Sequence, residues 1–256
     1  MFTRRDAVVG GALTLIWGGC ACAQNSEPGF ATGGCLIEPA EVQSYLGSAT
    51  QPQLFDGPAP EEKIITSSGD REFDFALART LSKLTDVYGV LPGFCYYDDS
   101  AGMNAKATPV TRLQRADGTV LFGQHYLAWG MKQVESPEVV ISATCAHEFG
   151  HIVQFKHNLM GRLNKGKATV KLSELHADFF AGYFAGSRKL EKSDYPAAVF
   201  ATNRYARGDN NLDSPDHHGT KEERAAAVVR GFETCYRERH TFAEAIQIGM
   251  NYVLSL

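Results

Sequence analysis

Apolar residues recur at helical spacing from Asp70 to Tyr88, where Phe73, Leu77, Leu81 and Leu84 follow one another by four, four and three. That spacing predicts a helix with one buried face. The pattern then changes. Phe94-Cys95-Tyr96-Tyr97 reads as a strand and is followed by a turn at Asp98-Asp99-Ser100. Asn104–Thr108 and Thr119–Phe122 read as further strands, the second launched from the turn Ala116-Asp117-Gly118. Gln124–Lys132 is expected to be a short helix. Ser136-Pro137-Glu138 looks like a helix start, with Ser at N-cap, Pro at N1 and an acidic first turn. Val139, Val140 and Ile141 carry that helix forward past Cys145. After a polar loop at Asn164–Lys167, a helix is expected over Ser173–Lys189, with Phe179, Phe180, Tyr183 and Phe184 packing beneath it. Asp209–Asp216, which contains Pro215, reads as a polar turn region. Thr220 with Glu223, and Thr241 with Glu244, are capping boxes that start a helix running to about Tyr236 and a last helix.

Toward the amino end, residues 24–34 read as a flexible lead-in, Pro39–Leu46 as a short helix and 47–68 as irregular chain. No internal repeat or heptad array is present. Helix, small sheet, then mostly helices predicts a single α+β domain over residues 24–256.

Composition supports one ordinary core: 256 residues, 44% hydrophobic and 21% charged. The formal net charge of −4 and the lack of any Lys/Arg-rich block argue against a nucleic-acid partner. Residues 1–23 read as an export signal peptide. Arg4 and Arg5 form its charged region, Ala7–Trp17 is apolar but short for a membrane span, and Ala21-Cys22-Ala23 is a cleavage-type sequence. Thr3-Arg4-Arg5-Asp6-Ala7-Val8 also resembles a twin-arginine signal. A lipid anchor at Cys20 or Cys22 is a further alternative. Each of these routes places the mature chain in the bacterial periplasm or cell envelope. Four cysteines remain, Cys35, Cys95, Cys145 and Cys235. In an exported chain an even count predicts disulfides, with three pairings open, against the alternative of buried thiols. No C-x-x-C pair points to a cysteine metal site.

The chemistry concentrates in Ala146-His147-Glu148-Phe149-Gly150-His151. Residues four apart share a helix face, so His147 and His151 offer two imidazoles to one Zn2+ ion, with Glu148 as candidate general base. A catalytic zinc usually takes three protein ligands. Glu174, 23 residues after His151, is the expected third, and Asp178 is placed to orient a ligating His. His157 is the rival third ligand, six residues after His151 as in the H-E-x-x-H-x-x-G-x-x-H pattern. That pattern turns at a central Gly, and this chain has Gln154 there. In a continuing helix, His157 would be rotated about 120° from His151. His176 is expected to point away from the ligand face, and His125 and His240 belong to no motif.

These residues resemble gluzincin metallopeptidases. Asn104–Thr108, Gly118–Gly123 and the His147 motif are similar to the catalytic core of the CAAX-prenyl-endoprotease type. Glu174–Gly182, and His218-Gly219-Thr220 with Arg224, are similar to the neutral zinc metallopeptidases. The likeness spans residues 94–232. It implies a zincin-like fold: a small sheet, an active-site helix and a mainly helical C-terminal half. It implies His147, His151 and Glu174 as zinc ligands, Glu148 as base and Asp178 as buttress. It also implies that His218 stabilises the tetrahedral intermediate, with Arg224 positioning it and His217 as the alternative histidine. The expected activity is hydrolysis of peptide or protein substrates, and an extended segment, Asn104–Thr108 or Thr119–Phe122, would pair with substrate backbone. Two other readings are a non-catalytic zinc-binding envelope protein and a zinc amidase acting on a non-peptide amide. The prenyl-protease branch is usually embedded in membrane, and this sequence has no spanning segment after its signal.

Overall fold

The computed structural model describes residues 64–65, 67–110, 116–133 and 136–256. The expected signal peptide, the lead-in, the Pro39–Leu46 helix, Cys20, Cys22 and Cys35 lie outside the described residues. The elements are β1 (Ile64–Ile65), α1 (Arg71–Tyr88), β2 (Gly93–Tyr97), β3 (Ala105–Thr108), β4 (Thr119–Gly123), α2 (Gln124–Gly130), α3 (Pro137–Lys156), α4 (Met160–Leu163), α5 (Lys171–Glu191), α6 (Ala198–Tyr205), α7 (Lys221–Tyr236) and α8 (Phe242–Leu254). The coarse expectation of an α+β chain with a small sheet and a mainly helical second half is met.

The sheet order is β1-β2-β4-β3. β2 runs parallel to β4, while β1 and β3 run antiparallel to their neighbours. β4 therefore has both hydrogen-bonding edges occupied. Of the two segments expected to receive substrate, only β3 has a single strand partner among the described residues. β3 also packs against α3: Ala105 and Ala107 share a core with Ala143, Phe149 and Val153.

Local signals explain most helix ends. Asp70 caps α1 by accepting from the backbone of Glu72 and Phe73, and Gly89 closes it with φ of 65°. Both capping boxes, at Thr220 and Thr241, form as expected. Ser136 behaves differently. It occupies the N-cap position of α3, yet its φ of 45° is left-handed and its hydroxyl makes no cap bond. Its carbonyl instead accepts from Val139 and Val140, and Pro137 has no N–H to satisfy.

Asp99 does more than turn the chain. Its buried carboxylate accepts from the backbone N–H groups of His125 and Tyr126, at the start of α2, and from that of Asn104 before β3. It caps α2 from a distance and ties that helix to the sheet. Asp99→Ala should lower stability by about 2–3 kcal/mol, since bonds to a charged acceptor are lost and buried donors are orphaned. Denaturant titration should show a lower midpoint at unchanged slope.

α3 is the central helix, buried from Pro137 to Gln154. A helix that is apolar or buried all round belongs in the middle of a domain. α5 crosses it, and α7 lies against α5. That second contact is very close: a Cβ added at Gly182 would overlap the Val228 carbonyl, and one at Gly231 would overlap the Phe179 carbonyl. Any side chain at either position would push α7 outward. Tyr88 Oη, at the end of α1, donates to Phe180 O at 2.6 Å and so fixes α1 to α5.

Cys95, Cys145 and Cys235 are buried on β2, α3 and α7 and form no disulfide among the described residues. The expected disulfide pairing does not occur at these three residues. Burial pushes the Cys145 thiol well up and the Cys235 thiol to about 11, which makes both poor nucleophiles. No helix of the described residues is long and apolar enough to cross a membrane.

Candidate metal centre

α3 supplies two imidazoles on one face, and α5 supplies the carboxylate opposite. The two helices approach closely at Gly150, between the histidines, which leaves less than a methyl group of room: an added Cβ would lie 3.1 Å from Ala177 Cα. His147, His151 and Glu174 are all fully buried. His147 Nε2 and His151 Nε2 are 3.2 Å apart, and each lies 3.3 Å from an oxygen of Glu174.

The protonation pattern follows from the groups behind each ring. Gln154 Nε2 donates to the Ser173 carbonyl at 2.7 Å, so the other end of this amide, Oε1, faces His151 Nδ1 at 2.9 Å. An amide oxygen only accepts, hence His151 Nδ1 carries the proton and Nε2 a lone pair. His147 Nδ1 lies 2.8 Å from Asp178 Oδ1. Burial works to raise the Asp178 carboxyl, but Arg224 and His147 outweigh it and hold it down at about 2. That carboxylate can only accept, so His147 Nε2 is also a lone pair.

With both rings neutral, three acceptors converge with no donor between them. Both Glu174 oxygens are buried without a hydrogen-bond partner. Burial opposes the Glu174 charge, yet His151 and His147 keep its carboxyl well below the usual range. Such a constellation needs a cation. The spacing fits one: zinc–nitrogen and zinc–oxygen bonds of about 2.0–2.1 Å in tetrahedral geometry put ligand atoms about 3.3–3.4 Å apart. The donor set, two imidazoles and a carboxylate, suits zinc among other divalent ions.

Electrostatics around the triad are uneven. Burial pulls the His147 imidazole down to about 4 against the pull of Asp178. Burial also acts to lower His151, but Glu174 and Glu148 outweigh it and raise it. Glu148 is almost fully buried, and its Oε2 has no hydrogen-bond partner. Burial first, then Glu174, pushes its carboxyl up to about 7, against the pull of His151, Arg204 and Arg207. A neighbouring dication would draw it back down.

The remaining predicted residues divide. Asp178 Oδ1 lies 2.8 Å from His147 Nδ1, beside the ring it was expected to orient. Arg224 lies behind the cluster, on Asp178. Its guanidinium grips Asp178 with Nε–Oδ2 at 2.7 Å and Nη2–Oδ1 at 3.0 Å, and it reaches Glu174 Oε2 at 3.5 Å. The tight α5–α7 contact puts it behind the ligands rather than beside the substrate. His218 is held instead by Asp209, whose Oδ2 accepts from the His218 backbone and lies 3.5 Å from its Nδ1. The His218 ring is partly buried and within electrostatic reach of Glu174. His217 is buried, with Nδ1 2.6 Å from Asp209 Oδ1. His157 is exposed at the end of α3 and joins no cluster. His176 is buried against Phe180, with ring centroids 4.3 Å apart.

Gln154 and Asp209 were not found from the sequence. A Gln inside an otherwise apolar stretch, Phe149 to Phe155, was the available signal for the first; nothing in the sequence marks the second. Comparison with family models, with curated proteins and with solved structures finds no match for this chain.

Proposed function

We propose that this chain is an exported zinc-dependent peptidase. The observation that carries the reading is the triad itself: three lone-pair donors 3.2–3.3 Å apart, with the unpartnered carboxylate of Glu148 in the same helical turn. A zincin-like architecture is part of this proposal, supported by an α3 that carries the motif and packs under an edge strand.

When bound, zinc would supply Lewis acidity toward a water and toward a scissile carbonyl. Glu148 accepts the proton of the attacking water and later delivers it to the leaving amine. Its burial suits a group that must both take and give a proton. Asp178 and Gln154 hold His147 and His151 with Nε2 turned inward. Arg224 fixes Asp178 by a bidentate pair, a geometry that resists rotation of the carboxylate. β3, with one edge unpaired by any described strand, is the segment that would add substrate backbone as a further strand.

His218 is the donor proposed for the developing oxyanion. His218→Ala should lower kcat by about 10²–10³-fold with little change in KM, because the bond forms in the transition state. His217 is a poor control, since it is buried and its loss would loosen the Asp209 loop. His240, half exposed and remote in sequence from the motifs, is the better one. Equal small effects in both variants would remove His218 from the mechanism. If a broad peptide library yields no cleavage by the zinc-loaded protein, the amidase and binding-protein readings replace this one.

A further inference from the structure

Arg204 is a fully buried cation with no direct ion pair among the described residues, although Asp178 and Glu148 lie within its electrostatic reach. Arg204, near the end of α6, is 1% exposed. Its Nε donates to Asn203 Oδ1 at 2.9 Å, and its Nη2 donates to Thr144 Oγ1 at 3.0 Å. Among the described residues its hydrogen bonds end on neutral oxygens, and no carboxylate forms an ion pair with it. Arg224 is equally buried, but it has Asp178 and Glu174. Removing a guanidinium from water without a carboxylate in direct contact is unfavourable. Places where a chain breaks such a rule are commonly its functional sites.

The position of Arg204 gives the charge a use. Thr144 precedes Glu148 by one helical turn, so the two side chains project from the same face of α3. The Thr144 hydroxyl also lies 2.8 Å from Tyr126 Oη. Arg207, three residues after Arg204, lies 4.7 Å over the Tyr126 ring and donates to Asn104 Oδ1, next to β3. The corner made by Thr144, Tyr126 and Arg204 thus lies one turn along the helix from the base. Around the centre, Glu148, Glu174 and Asp178 face Arg204, Arg207 and Arg224. A dication added to that balanced set leaves positive charge in excess, which favours an anionic ligand. Glu148 itself is only 1% exposed. A substrate group that reached Glu148 would therefore come within one helical turn of this corner.

We propose that Arg204 binds a carboxylate of the substrate beside the scissile bond, through the planar fork of N–H donors that a carboxylate matches. The inference rests on the peptidase reading above. It narrows the substrate class to peptides with an acidic side chain, or a free C-terminal carboxylate, next to the bond cut.

The test uses zinc-loaded full-length wild type, Arg204→Met and Arg204→Lys. Peptide pairs differ only as Glu against Gln, or as C-terminal acid against C-terminal amide, and the pair that responds identifies the source of the carboxylate. In the wild type, kcat/KM for the carboxylate member should exceed that of its amide by at least about 100-fold, because a site built for a charged partner rejects its neutral isostere. In Arg204→Met that ratio should fall to within about threefold, with Arg204→Lys between. Arg204→Met should also raise Tm by about 2–4 °C, since an unpaired buried charge is removed. A purely structural arginine predicts the opposite: a lower Tm and equal slowing of both members of each pair, which would overturn the proposal. Efficient cleavage without discrimination in either pair would overturn it too, while leaving the peptidase reading intact. If no peptide is cleaved, the peptidase reading fails, and calorimetric binding of N-acetylglutamate against N-acetylglutamine decides. Arg204-dependent preference for the acid sustains the carboxylate site; equal binding in Arg204→Met removes it.

Discussion

Glu148→Gln should leave the fold and the metal in place and remove about 10²–10⁴-fold of the hydrolysis rate. The amide keeps the shape of the carboxylate and stays within the same buried turn of α3. It cannot accept a proton from water. The expectation is sharpened by what surrounds the residue. Glu148 Oε2 has no hydrogen-bond partner among the described residues, so an amide at that atom breaks no bond there. A loss of activity is then chemical rather than structural. Metal content and peptide cleavage must be measured on the same preparation. Cleavage at the wild-type rate with zinc fully bound would exclude Glu148 as the base.

The His147, His151 and Glu174 cluster was legible in the sequence. His147, Glu148, His151, Glu174 and Asp178 all sit on two regular helices, where spacing of three and four residues translates directly into geometry. Rejecting His157 was legible for the same reason: α3 runs on to Lys156, so the chain never makes the turn that would bring that side chain back. What lies behind the ligands was not legible, because it depends on how helices pack. Arg224 and Asp178 are 46 residues apart in sequence, and the approach of α7 to α5 is what brings this arginine onto that carboxylate. Asp209 holds two histidines from a loop whose path no periodicity specifies. α6 was missed because it is eight residues long and its N-cap Ala197 makes no side-chain bond, so neither length nor capping announces it. Arg204 went unread with it. The disulfide expectation failed at Cys95, Cys145 and Cys235 because parity says nothing of position, and these residues occupy the interiors of three different elements.

Zinc added to metal-free protein should raise its Tm substantially. At a free ion concentration 1,000 times Kd, binding contributes about 4.1 kcal/mol, which for a domain of this size corresponds to roughly 8–16 °C. The sign follows from the centre: without a cation, two imidazole lone pairs and a carboxylate face one another in a site sealed from water. Glu174→Ala removes one of the three and should abolish most of this shift along with zinc retention after dialysis. Asp178→Asn keeps the ligands but replaces the group that fixes His147, and it also disturbs the pair with Arg224. Its zinc affinity should fall by about 10–100-fold, the usual consequence of losing a partner behind a metal ligand. His157→Ala should behave as wild type, because that residue is exposed at the end of α3. The set of variants separates the two ligand assignments without any assay of activity. If Glu174→Ala keeps its zinc and its thermal shift while His157→Ala loses both, the third ligand is His157 and the helix must end earlier than Lys156. If no divalent ion shifts Tm in the wild type, the convergence of acceptors is relieved by some other cation or proton, and the metal reading falls.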